Sequence, residues 1–215
     1  MDLHLDERRG PHPPGACRIT AGRWPGRRLG WPEVVLAAAG IALLVAWAAQ
    51  GWSSQRFQAS AGERLDRALA ATQALPSRPA AVVGGEGALA RLEIARLGLV
   101  AMVDEGTTPR VLERAVGHLE STARPGEAGN CVLAGHRDTF FRRLGGIRVG
   151  DVVRLTSLDG QWEYRVSARE VVSPRRTDLL RDTASPTLTL VTCYPLRWIG
   201  PAPMRLVVRA ERVGL

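Results

Sequence analysis

The sequence contains no lysine: all 29 of its basic residues are arginine. Cysteine is nearly as scarce, with three residues, Cys17, Cys131 and Cys193. Their spacing fits neither a zinc motif nor a CxxC redox pair, which excludes a disulfide framework and leaves free thiols, one of them a candidate for reactivity. No basic helix and no alternation of basic with aromatic residues occurs. The net charge of +8 is spread along the chain and interleaved with 21 acidic residues, a pattern of solvation rather than of nucleic-acid binding. A second long hydrophobic run is also missing. At 215 residues, this leaves room for one compact domain with appendages.

The single apolar run is Val34 to Ala49, flanked by Trp31 and Trp52. As a helix, the stretch between those tryptophans measures about 33 Å at about 1.5 Å per residue, close to the hydrocarbon core of a bilayer of about 30 Å. Trp31, Trp47 and Trp52 lie toward its ends, where indoles favour the membrane interface. We therefore expect a transmembrane signal-anchor over 29–52, preceded by a disordered basic cytoplasmic tail over 1–28. Arg27 and Arg28 abut the span and put that tail inside and the rest outside. Ala46-Trp47-Ala48 offers the small-residue pattern of a signal-peptidase site, so cleavage is the competing reading.

Beyond the span, Phe57, Ala61, Leu65 and Leu69 recur at four-residue steps, the pattern of a stalk or packing helix. Pro76 to Pro79 and Gly84 to Gly87 then read as a linker, giving a helical stalk and linker over 53–87 and a folded domain over 88–215. Short strands with turn signals dominate that domain: Ala90–Ile94, Leu99–Val103, Asn130–Ala134, Asp151–Ser157, Gln161–Val171, Thr187–Thr192 and Arg205–Ala210. Asp159-Gly160 signals a hairpin. Thr108-Pro109 caps a helix whose apolar face runs Val111, Leu112, Ala115, Val116, Leu119. Many strands and few helices point to a mainly β fold, a closed or nearly closed β-barrel.

Cys193 ends an apolar strand and is followed by Tyr194-Pro195, where a ladder must stop. His136 also sits just past a strand end, in Ala134-Gly135-His136-Arg137-Asp138. Strand ends at one rim of a barrel can meet, and a thiol beside an imidazole or a cation gains nucleophilicity. The loop through Gly200-Pro201-Ala202-Pro203 is able to fold back and bring Arg205 beside the thiol. Against this stands the plainer reading of a buried cysteine, a structural histidine and a surface arginine. Spacing by itself does not decide between them.

The segment from about Leu92 to Val213 resembles the sortase family, its class D-like members in particular. The likeness lies in Leu-Glu-Ile-Ala-Arg-Leu-Gly-Leu (92–99), Val-Gly-His-Leu-Glu-Ser-Thr (116–122), Pro-Gly-Glu-Ala-Gly-Asn (125–130), Leu-Ala-Gly-His-Arg-Asp-Thr-Phe-Phe (133–141), Thr-Leu-Thr-Leu-Val-Thr-Cys-Tyr-Pro (187–195) and Ile-Gly-Pro-Ala-Pro-Met-Arg (199–205). The resemblance implies a sortase-type barrel of about seven to eight strands with short helices. It makes Cys193 the nucleophile of a transpeptidase, His136 its acid/base and Arg205 the oxyanion and substrate anchor. Thr192 would help to position substrate, and Asp138 would orient His136 or Arg137. Arg197 lacks the family spacing for the arginine role. His118 matches a non-catalytic family position and is expected to make a buried hydrogen bond, and Cys131 to pack in the core.

The implied partners are a protein with a C-terminal Leu-Pro-x-Thr-Gly-like sorting signal, an amine acceptor on the cell surface or on another protein, and the membrane. No cofactor or metal is implied. A hydrolytic cysteine peptidase and an inactive, membrane-tethered binding barrel remain alternative readings of the same chain. Oxidation of Cys131 with Cys193 would silence the enzyme.

Overall fold

The computed structural model describes residues 30–74 and 88–214. The expected tail over 1–28 with Cys17, and the linker at 76–87, lie outside the described residues. Two compact units divide between Leu43 and Leu44.

Helix α1 (Trp31–Ala74) runs without a break through the stretch divided above into anchor and stalk. In the first unit it exposes Val34, Val35, Leu36, Ile41 and Leu43. Among the described residues, α1 is the one helix long and apolar enough to cross a membrane, with a mean hydropathy of 2.0 in its apolar window.

The second unit contains the rest of α1 and eight strands. These are β1 (Ala90–Ile94), β2 (Leu99–Glu105), β3 (Val116–His118), β4 (Asn130–Ala134), β5 (Val152–Ser157), β6 (Gly160–Val172), β7 (Thr187–Tyr194) and β8 (Met204–Arg212). They close into a barrel in the order β1-β2-β3-β4-β7-β8-β6-β5. Alternation decides which side chains fill it. Leu92 and Ile94, Cys131 and Leu133, Leu188 and Leu190, and Leu206, Val208 and Ala210 point inward, and Phe141 and Leu144 close the core. A fully buried side chain of this size contributes about 1.5–3 kcal/mol.

The four-residue stripe of α1 proves to be a packing face. Ala61 and Leu65 are buried against Met102 of β2, with Phe57, Leu69, Ala88 and Leu158 around them. Gln58 pins the contact, since its Oε1 accepts from Met102 N at 2.7 Å and its Nε2 donates to Arg114 O at 2.8 Å.

One expected element changes character. The capped helix α2 (Pro109–Arg114) begins as the sequence indicates, with Thr108 Oγ1 accepting from Val111 N. It stops at Ala115, whose φ of −148° is extended. Val116 to His118 then form β3, parallel to β2, rather than continuing the helical face. The cause is tertiary: β3 lies so close to the Gly106 carbonyl that residue 117 has no room for a Cβ. The hairpin between β5 and β6 also turns one residue early, since Ser157 pairs with Gly160.

Candidate active site

β7 and β8 are antiparallel neighbours, and their register sets Cys193 directly opposite Arg205. Leu188 and Leu190 of β7 and Leu206 and Val208 of β8 face the core. By the period of two, Cys193 and Arg205 therefore share the outer face, where directly opposed Cβ atoms stand about 4.5–5.5 Å apart. The chain turns back between β7 and β8, and the antiparallel ladder fixes the arginine opposite the thiol.

β4 lies on the other side of β7, parallel to it, with Ala134 paired to Val191. The Gly135 N–H extends this ladder by donating to Val191 O at 3.1 Å. That bond brings Gly135 level with Thr192, and the next residue, His136, level with Cys193. Gly135 has to be glycine, because a Cβ there would meet the Phe141 ring at 2.8 Å. The three strand ends thus bring Cys193, His136 and Arg205 to one level of the barrel. Cys193 and Arg205 are half-buried and His136 is exposed.

Arg205 Nη1 donates to the carbonyls of Met204 at 3.0 Å and Ala202 at 3.3 Å. Its guanidinium is parked on its own loop, with further donors left for a ligand. Arg197, the sequence rival for this role, is exposed in the loop after Pro195 and outside the ladder.

Thr192 is 2% exposed, and its hydroxyl donates to Gly135 O at 2.7 Å. It braces the residue before His136 from beneath. Asp138 is exposed. The bonds of Arg137 go elsewhere, to Pro195 O at 3.2 Å and Gly200 O at 2.7 Å. Arg137 therefore ties the His136 segment to the loop between β7 and β8. Sequence reasoning missed this link, since two backbone carbonyls leave no trace in residue identity.

His118 is buried at 1% exposure, with Nδ1 2.7 Å from Glu105 Oε1 and Nε2 2.9 Å from Ala123 O. It is the buried hydrogen-bonding residue that the sequence indicated, distant in the fold from the thiol end of β7. Cys131 sits in the core, where burial, with the negative charges of Glu105 and Glu127, pushes its thiol up to about 12. It pairs with Leu188 near the start of β7 and points inward. Cys193 lies near the other end and points outward, so the two sulfurs are too far apart and too divergent for a disulfide. Among the described residues, no group of three or more His, Cys, Asp or Glu stands ready to hold a metal ion.

A half-buried thiol, an arginine paired across from it and an imidazole at the same level are the kinds of group that can serve as a nucleophile, a cation for an oxyanion and a proton carrier. Comparison with known proteins points the same way. The family model described as "Sortase domain" matches residues 92–213. The chain is 37% identical over 123 residues to Sortase D of Bacillus subtilis (strain 168), an alignment covering 57% of this chain and 62% of that protein. The chain thus spans about three-fifths of the length of this curated relative. A Clostridium perfringens Sortase D5 transpeptidase superposes with a TM-score of 0.61 at 28% identity, covering 75% of this chain and 99% of that one. Sortase C-1 from Actinomyces oris gives a TM-score of 0.55 at 35% identity, covering 60% of this chain and 75% of that one.

Proposed function

The chain belongs to the sortase family, and we propose that it is a membrane-anchored cysteine transpeptidase acting on a C-terminal Leu-Pro-x-Thr-Gly-like sorting signal. The direct pairing of Cys193 with Arg205, at the level His136 reaches from β4, is the observation that supports this most.

In this mechanism the Cys193 thiolate adds to the Thr–Gly carbonyl carbon, and the carbonyl oxygen takes the negative charge. Arg205 leaves the Ala202 and Met204 carbonyls and donates to that oxygen. As the tetrahedral adduct collapses, the C–N bond breaks and His136 gives its proton to the leaving amine. The acyl group remains on sulfur as a thioester. An incoming amine, deprotonated by His136, attacks the thioester, and the thiolate departs. The product is a new amide joining the substrate protein to a cell-surface acceptor or to another protein.

Thr192 serves this scheme through Gly135, by fixing where the His136 backbone begins. Asp138, exposed close to His136, contacts the arriving substrate. With residues 1–28 inside, α1 would hold the barrel on the outer side of the membrane. Enzyme and membrane-bound precursor would then share a surface, which raises their effective concentration.

The test is to incubate the full chain in detergent with a sorting peptide, with and without a glycine-based amine, and to follow products by mass spectrometry. A Cys193-linked acyl intermediate and amine-dependent ligated peptide are expected. Hydrolysed peptide alone, whatever the amine concentration, would remove the transferase assignment.

A further inference from the structure

Successive parallel strands need a connection that carries the chain back to its starting end. β6 and β7 are such a pair, since both run antiparallel to β8, which lies between them. β6 ends at Val172, paired with Arg205 and hence level with Cys193. β7 begins at Thr187, near the opposite end of the barrel. The crossover, residues 173–186, must therefore travel back by the distance from Cys193 to Thr187, about 20 Å at about 3.3 Å per residue.

What it covers reveals its path. Thr187, Thr189 and Val132 alternate with core residues and so lie on the outer face of the β4–β7 pair, yet they are 3%, 0% and 2% exposed. Ala134, Val191 and Cys193, further along the same face, are half-exposed. The crossover thus roofs the far half of this face and leaves the Cys193 half open.

One side chain attaches the roof. Asn130, at the start of β4, is 1% exposed. Its Nδ2 donates to Arg181 O at 3.0 Å and to Leu179 O at 3.2 Å, both in the crossover. Its Oδ1 accepts from Thr189 Oγ1 at 2.7 Å. Its backbone N–H donates to Asp182 Oδ1 at 3.1 Å, an oxygen that also accepts from Thr183 N at 2.9 Å. One amide thus joins β4, β7 and the crossover with both donors and its acceptor in use. Only an amide fits: a carboxylate would keep the Thr189 bond and set an oxygen against two carbonyls.

We propose that Asn130 is a positioning residue that fixes the far wall of the peptide groove, about 20 Å along the strand from Cys193, and thereby sets how tightly the acyl-donor peptide is held. This rests on the reading of the open β4–β7 face as the groove of a transpeptidase. Asn130 touches no reacting atom, so its loss acts on binding and not on the chemical step.

The full chain in detergent is compared with Asn130→Asp, Asn130→Ala and the exposed Asp182→Ala, which keeps the core intact should the buried variants fail to fold. Tryptic cleavage after Arg175, Arg176 and Arg181 is expected to quicken by about tenfold as the crossover detaches. Iodoacetamide alkylation of Cys193 should stay within about twofold, and KM for the sorting peptide should rise by about tenfold with kcat within about twofold. Unchanged cleavage in every variant overturns the anchor. Faster cleavage with unchanged KM, or a fall in kcat alone, overturns the groove-wall role. A wild-type chain that processes no sorting peptide overturns the transpeptidase reading itself, and the cleavage comparison still decides the anchor.

Discussion

Cys193 and Arg205 are direct partners in the β7–β8 ladder, although the loop over 195–203 separates them in sequence. Their separation is therefore set by backbone hydrogen bonds of the barrel and not by the conformation of that loop. A shift of one residue in register would send one of the two side chains into the core. The arrangement is as rigid as the sheet that carries it.

Arg205→Ala is expected to lower kcat for thioester formation by about 10²–10³, the usual cost of removing an oxyanion donor. Arg205→Lys should recover part of this, because a lysine keeps the charge without the planar fork. Single-turnover acylation by a sorting peptide reads the effect. A loss confined to KM would reassign Arg205 to ground-state binding.

The two thiols of the barrel should differ sharply toward iodoacetamide. With Cys131 pushed up to about 12 by burial and by Glu105 and Glu127, about one molecule in 10⁴ carries its thiolate at pH 8. Cys193, half-buried on the outer face, should be alkylated in the folded protein. Cys131 should react only after denaturation, as peptide mapping will show. Equal labelling of both in native protein would contradict the inward orientation of Cys131.

Arg137 bonds Pro195 O and Gly200 O, so Arg137→Ala frees the loop from the His136 segment. We expect kcat to fall by about tenfold, the effect of misplacing catalytic groups rather than removing one. Arg137→Lys should restore little, since a point charge cannot span two carbonyls as the guanidinium does. Full activity in Arg137→Ala would show that the loop holds its place unaided.

Acid stability should depend on Asp151. The Arg96 guanidinium, bonding through Nε and Nη2, holds its carboxyl below the usual carboxylate range, and the Arg148 N–H adds to the effect. A depressed folded-state pKa means that the unfolded chain binds more protons in the window below about pH 4. The stabilisation is thus complete above that window and is lost as pH falls through it. Asp151→Asn should be less stable at neutral pH and show a shallower decline in acid, measured by urea unfolding between about pH 2 and pH 6. Parallel acid limbs for both proteins would exclude Asp151 as a contributor.

Seven of the eight strands were legible from short apolar or alternating runs and the turn residues between them, because those patterns are local in sequence. β3 was not. Val111, Leu112, Ala115, Val116 and Leu119 fit a helical face, and what ends the helix is the close approach of Gly117 to Gly106, a contact that residue spacing does not encode. Cys193 and His136 could be placed at strand ends from Pro195 and from the Ala134–Gly135 step. Arg205 could not be placed opposite Cys193, since the pairing of β7 with β8 is a matter of topology. Asn130 and Arg137 act through backbone carbonyls of distant segments, which no side-chain pattern reveals. The change in hydropathy after Trp52 leaves the helix unbroken, because the backbone ladder of α1 is indifferent to the polarity of the side chains it carries.

Among the described residues, every strand of the barrel has a hydrogen-bonded neighbour on both sides over part of its length, so an extended ligand meets no strand whose whole edge is unpaired. Main-chain augmentation along a full strand, which accepts nearly any side chain, is therefore not offered by the barrel. In the proposed reading, choice among peptides would fall to protruding loops and outward side chains, and exchanging those loops should retune it while leaving the barrel intact.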